Sequence, residues 1–199
     1  MNTVSGVAFL LYGLGKGLFA LLFKLLFNVR VEGREHFPAR GPVVFCANHI
    51  SWWDPPLLAV VAPRKVRFMA KQELFSNVAF AYLLRGLGAF PIKRGAPDRR
   101  AIREALSILE DGQAVGMFPE GTRSKTGDMG QVSAGAAFLA LKTKAIIQPA
   151  VIISDYRLGG RVVVRMGAPF HLDEGGSRSE QSARGALAIT NAIGRLKES

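Results

Sequence analysis

Two short segments of this chain hold side chains of the right types and spacing to do chemistry. The first, Ala47-Asn48-His49-Ile50-Ser51-Trp52-Trp53-Asp54-Pro55-Pro56, sets a histidine and a carboxylate five positions apart. An imidazole can take a proton from a hydroxyl near neutral pH, and a carboxylate on one ring nitrogen leaves the other to face a substrate. On one continuous helix the two side chains would point to different faces, so the pairing needs His49 in a loop and Asp54 at a helix start, turned back. Pro55 fits that arrangement, because Asp is a favoured N-cap and proline a favoured first helical residue. The bare spacing also fits a capping aspartate beside an incidental surface histidine. The second segment is Phe118-Pro119-Glu120-Gly121-Thr122-Arg123-Ser124. Pro119 and Gly121 favour a sharp turn from which Glu120, Thr122 and Arg123 project polar groups. The planar fork of Arg123 suits a phosphate-bearing ligand, although a turn with a surface ion pair has the same sequence.

Both segments need a scaffold, and the pattern after Asn28 supplies one. Short β-branched or aromatic runs predict strands at 29–32, 43–46, 66–70, 89–92, 114–118, 146–152 and 162–166. Between them, helical stretches are expected at 55–61, 76–85, 98–110, 133–143 and 179–196. The helix from Asp98 is the clearest, with Ala101, Ile102, Ala105, Leu106 and Leu109 on one stripe and Asp111-Gly112 ending it. This alternation predicts a single α/β domain over residues 29–199, with a central mostly parallel or mixed sheet flanked by helices. Both chemical segments then fall in loops beyond strand ends, where open α/β sheets place their sites.

Residues 1–28 read differently. From Val4 to Phe27 nearly every residue is apolar, and neither a preceding cation nor a small-residue cleavage site marks a signal peptide. The run approaches the roughly 20 residues a spanning helix needs, but Gly13, Gly15 and Gly17 interrupt it and Lys16 and Lys24 punctuate it. The expectation is two short helices lying in a membrane interface, their lysines reaching for headgroups. A buried hairpin and a single spanning helix are the alternatives.

The whole chain has 199 residues, 49% of them hydrophobic, enough for one substantial core. Lys and Arg number 26 against 15 Asp and Glu, a formal charge of +11, which favours anionic partners: nucleic acid, anionic membranes or phosphorylated small molecules. No nucleic-acid motif accompanies the charge, so no nucleic-acid partner is expected. The single cysteine, Cys46, excludes an intrachain disulfide and reads as an ordinary buried side chain. His36 and His171 read as surface residues, and no Cys/His cluster or glycine-rich loop followed by Lys-Ser/Thr points to zinc or a nucleotide.

Taken in order, the two segments and a third between them, Gly88-Ala89-Phe90-Pro91-Ile92-Lys93-Arg94, resemble the lysophosphatidate and glycerolphosphate acyltransferase family. The similarity includes Met69-Ala70-Lys71-Gln72-Glu73-Leu74-Phe75 and Ile147-Gln148-Pro149-Ala150-Val151, and covers roughly residues 30–170. The resemblance implies that His49 is a general base on the acceptor hydroxyl and that Asp54 orients it, with no covalent acyl-enzyme. It assigns acceptor phosphate binding to Lys71, Arg94, Glu120, Gly121, Thr122 and Arg123, with Lys93 beside them and Glu120 positioning basic groups. The family often carries a lysine two positions before a glycine just after this last block; here Ser133 stands there, and Lys125 is the nearby cation that could replace it.

The implied reaction is transfer of a fatty acyl group from acyl-CoA or acyl carrier protein to the free hydroxyl of lysophosphatidate, without a bound cofactor. The same chemistry on glycerol-3-phosphate or another lysolipid is the nearest alternative. An inactive membrane-binding module is the alternative from a different class. Membrane lipids are the implied partners and the cytoplasmic face of a membrane the implied location. Trp52 and Trp53 could line an acyl channel, sit at the membrane interface or pack in the core.

Overall fold

The computed structural model describes residues 3–93, 98–121 and 134–198. Its elements run α1 (Thr3–Leu26), β1 (Asn28–Glu32), β2 (Val43–Ala47), α2 (Asp54–Val61), β3 (Val66–Lys71), α3 (Val78–Gly86), β4 (Phe90–Ile92), α4 (Arg99–Glu110), β5 (Ala114–Met117), α5 (Gly135–Thr143), β6 (Ile146–Ile153), β7 (Arg161–Met166) and α6 (Arg178–Glu198). Every strand and helix expected after Asn28 is present, its ends displaced by no more than two residues.

The seven strands form one sheet in the order β1-β7-β6-β2-β5-β3-β4. All neighbours are parallel except β6 and β7, which are antiparallel, so the sheet is mixed and mostly parallel. β2 lies in the middle and is buried along its whole length. Its alternating side chains serve two cores. Val43, Phe45 and Ala47 pack with Leu57, Leu58 and Phe68 on one face, while Val44 and Cys46 pack with Ala105, Leu109 and Ile189 on the other. This two-sided burial is why β2 reads as a continuous apolar run rather than an alternation. Cys46 is fully buried, as expected, and burial pushes its thiol well above the ordinary range.

The amino-terminal segment departs from expectation, for α1 runs unbroken through Gly13, Gly15 and Gly17. Glycine inside a helix costs about 1 kcal/mol relative to alanine, which tertiary packing can outweigh. Here the packing uses the missing side chains. A Cβ on Gly15 would lie 2.0 Å from Leu87 Cδ2, and one on Gly86 of α3 would press on Leu11 at 3.1 Å. The glycines thus let α1 and the end of α3 interlock. Farther along, Phe23 of α1 and Phe27 just beyond its end are buried in the core beside Leu57 and Trp53, which anchors the carboxyl-terminal half of the helix. Lys16 departs too: its Nζ turns inward and donates to the carbonyl of Ala62 at 2.7 Å. Outward, α1 exposes Leu10, Leu14, Leu18, Leu21 and Leu25 in one stripe. Among the described residues no helix is long and apolar enough to cross a membrane.

Candidate active site

β2 ends at Ala47, and the chain leaves the sheet through Asn48 and His49 into a tight loop before α2. Asp54 is the first residue of α2 and is fully buried. It does not cap its own helix as the sequence suggested. With Pro55 and Pro56 next, the first turn has fewer N–H donors to cap, and the carboxylate turns back into the loop. Oδ2 accepts from His49 Nδ1 at 2.8 Å and from the backbone N–H groups of Ile50 and Ser51 at 2.6 and 2.7 Å. An ionised carboxylate can only accept, so Nδ1 carries the proton and Nε2 is the nitrogen available as a base.

The imidazole is held on a second side by stacking. The Phe118 ring lies 4.1 Å from that of His49, with planes 19° apart, and Phe68 stacks on Phe118 in turn at 6.0 Å. This column depends on Gly116 in β5, where any Cβ would stand 2.1 Å from a Phe68 ring carbon. Glu120, from the second segment, accepts from the backbone N–H of His49 at 3.3 Å through Oε1. The two segments named from sequence are therefore joined at His49, and Glu120 touches the loop that carries it.

Lys71 stands half-buried at the end of β3 and lines the same cavity as His49. Gly121 is exposed and takes φ 69°, a left-handed turn conformation that glycine adopts without strain. Lys93 is exposed, its backbone N–H held by Asp98 Oδ2 at 2.8 Å. Arg94, Thr122 and Arg123 lie outside the described residues, as do Lys125 and Ser133.

Three side chains that sequence reasoning missed complete the arrangement. Asn48 clamps the loop to β6: its Nδ2 donates to the Ile152 carbonyl at 2.9 Å and its Oδ1 accepts from the Ile152 N–H at 2.7 Å. The N–H groups of Ile50 and Ser51 point at Asp54. Tyr156, in the loop after β6, donates its hydroxyl to Asp54 Oδ1 at 2.7 Å. Nothing local announces Tyr156, which is 102 positions from its partner. Phe118 was within the second segment, but only the sheet register places its ring on His49.

An apolar cavity of about 330 Å³ opens beside the imidazole. Its walls include Phe19 of α1, Phe68 and Met69 of β3 and Leu84 of α3, with Trp52 and Lys71 also lining it. Trp52 is thus a lining residue, largely exposed, whereas Trp53 packs edge-on against Phe23 and Phe27. A long hydrocarbon would be desolvated along such walls, with its polar end beside His49. Among the described residues, no group of three or more His, Cys, Asp or Glu is placed to hold a metal ion.

The chain has known relatives in both sequence and fold. Residues 28–153 match the Acyltransferase family. The chain is 34% identical over 131 residues to the 1-acyl-sn-glycerol-3-phosphate acyltransferase of Bacillus subtilis, covering 65% of each protein. It is also 34% identical over 151 residues to the lyso-ornithine lipid O-acyltransferase of Pseudomonas aeruginosa, covering 75% of this chain and 55% of that one. The chain therefore spans less than two thirds of the length of these curated relatives. Among solved structures, the 1-acyl-sn-glycerophosphate (LPA) acyltransferase PlsC of Thermotoga maritima superposes with a TM-score of 0.74 at 27% identity, over 95% of this chain and 79% of that one.

Proposed function

The chain belongs to the acyltransferase family, and we propose that it moves a fatty acyl group from a thioester donor to the free hydroxyl of lysophosphatidate, giving phosphatidate. The observation that carries this reading is the His49–Asp54 hydrogen bond of 2.8 Å at the mouth of an apolar cavity. His49 Nε2 removes the acceptor's hydroxyl proton as that oxygen attacks the thioester carbonyl. The tetrahedral adduct then collapses, the carbon–sulfur bond breaks, and the thiolate takes the proton from the imidazolium. One ester and one thiol are formed, and no acyl group is attached to the protein. Positioned proton transfer of this kind contributes about 10²- to 10⁴-fold. Asp54 holds Nδ1 so that Nε2 stays directed at the substrate.

Acyl-CoA or acyl carrier protein supplies the acyl group, whose chain lies in the cavity between α1, β3 and α3. Lys71, Arg94, Thr122 and Arg123 bind the acceptor phosphate, Glu120 and Gly121 shape the loop that presents it, and no bound cofactor takes part. Residues 1–28 associate with the membrane and residues 29–199 form the transferase domain. The exposed leucine stripe of α1, together with the exposed Val78 and Tyr82 of α3, supports seating on a lipid surface. A formal charge of +11 adds attraction to anionic headgroups, consistent with the cytoplasmic leaflet.

The acceptor is tested with purified protein in mixed micelles containing palmitoyl-CoA, offered lysophosphatidate, a lyso-ornithine lipid or glycerol-3-phosphate. Thiol release that depends on lysophosphatidate, with phosphatidate identified by mass spectrometry, is the expected result. Release with only one of the other acceptors keeps the mechanism and changes the substrate. Release with none, acyl carrier protein donors included, overturns the reading in favour of a membrane-binding module.

A further inference from the structure

Among the described residues, Oδ2 of Asp54 meets three donors, but Oδ1 has one side-chain donor, the hydroxyl of Tyr156 at 2.7 Å. Asp54 is fully buried, so removal of that donor leaves an acceptor in the interior without the water that would replace it. The tyrosine is held with corresponding care. Its φ is 51°, in the left-handed region that residues with a Cβ occupy only against steric resistance and where surrounding structure enforces it. Its backbone N–H donates to Ser154 Oγ at 2.8 Å. Its ring stands edge-on to Phe27 at 5.5 Å. The loop that carries it is tied to the junction of α1 and β1 by Gly159 N–H to the Leu26 carbonyl, 2.7 Å, and by Asn28 N–H to the Gly160 carbonyl, 2.9 Å.

We propose that Tyr156 is a positioning residue for the base: its hydroxyl fixes the rotation of the Asp54 carboxylate, so that Oδ2 stays aimed at His49 Nδ1. The role rests on His49 and Asp54 acting as proposed above. Burial, followed by the charge of Asp54, pushes the Tyr156 hydroxyl well above the ordinary phenol range, so it remains a donor wherever the base is active. Because the same ring leans on Phe27, the seat of α1 and the alignment of the base share one contact.

Tyr156→Phe tests this, since it keeps the ring and its packing and removes the O–H alone. The first readout needs no substrate: the proton NMR signal of His49 Nδ1–H in the full chain, assigned by its loss in His49→Ala. In Tyr156→Phe this signal is expected to move and to broaden as its proton exchanges faster with water. The second readout is turnover, with kcat expected to fall about tenfold, the equivalent of one hydrogen bond, while the acceptor KM holds. A signal unchanged in the variant, or absent from the wild type, overturns the proposal whatever turnover does, and so does a kcat equal to that of the wild type. A signal that moves in the variant of a protein that transfers acyl groups to no acceptor supports the alignment and sinks the reaction instead.

Discussion

At the scale of single residues, the site consists of a histidine given one orientation by three unlike contacts: Asp54 on a ring nitrogen, Phe118 on the ring face and Glu120 on the backbone N–H. Asp54→Asn keeps the shape of the first contact but offers Nδ1 an uncharged partner. It is expected to lower kcat by about 10²- to 10⁴-fold with little change in acceptor KM, measured at saturating donor. The five-residue spacing of His49 and Asp54 was legible in the sequence because both lie in one short loop, where the chain itself brings them together. Tyr156 and Phe118 were not, because they reach the pair through the sheet. Cys46 sits opposite Met117 in the β2–β5 register, which brings Phe118 level with the His49 loop. The clamp made by Asn48 was not legible for a related reason, since its partner Ile152 is 104 positions away.

At the scale of elements, the column Gly116–Phe68–Phe118–His49 joins strand packing to the imidazole. Gly116→Ala forces Phe68 aside within a filled core, where overpacking typically costs about 1–3 kcal/mol. Chemical denaturation is expected to show that loss, and the displaced Phe118 is expected to lower kcat in the molecules that remain folded. A second inter-element tie links β1 to β7: Arg165 Nε donates to Glu32 Oε2 at 2.6 Å, and its guanidinium also donates to the Leu196 carbonyl in α6 at 2.7 Å. The hydrogen bond from Arg165 holds the Glu32 carboxyl below its ordinary value of 4.5. A lowered folded value means that the native state binds fewer protons than the unfolded chain. The resulting stability is present above the ordinary carboxyl range and is lost as pH falls through the lowered value. Thermal melts at descending pH are expected to lose less Tm in Glu32→Gln than in the wild type across that window. Helix and strand positions after Asn28 were readable because each element carries its own local pattern, an apolar period or, as in β2, a short continuous apolar run. The unbroken α1 was not, because its Gly15 is matched to Leu87, and its Leu11 to Gly86 of α3, across a helix contact that no local pattern records.

At the scale of the whole molecule, the alternation of strands and helices was enough for an α/β sheet covered on both faces, but not for the strand order or the antiparallel β7, which depend on pairing between distant segments. The apolar amino terminus and the +11 charge act together at this scale. Binding to vesicles containing anionic lipid is expected to weaken as salt rises, by screening of headgroup attraction worth about 1 kcal/mol per cation near the surface. Leu18→Asp with Leu21→Asp, both outward on α1, is expected to reduce the salt-resistant part, as read by vesicle sedimentation. The central claim is that an aligned imidazole drives direct acyl transfer. Its most direct test is acceptor-dependent thiol release from palmitoyl-CoA, comparing wild type with a His49→Ala variant shown to fold and to bind vesicles equally. The account requires release by the wild type with lysophosphatidate and a kcat lower by about 10²- to 10⁴-fold in the variant; equal kcat in the two would contradict it.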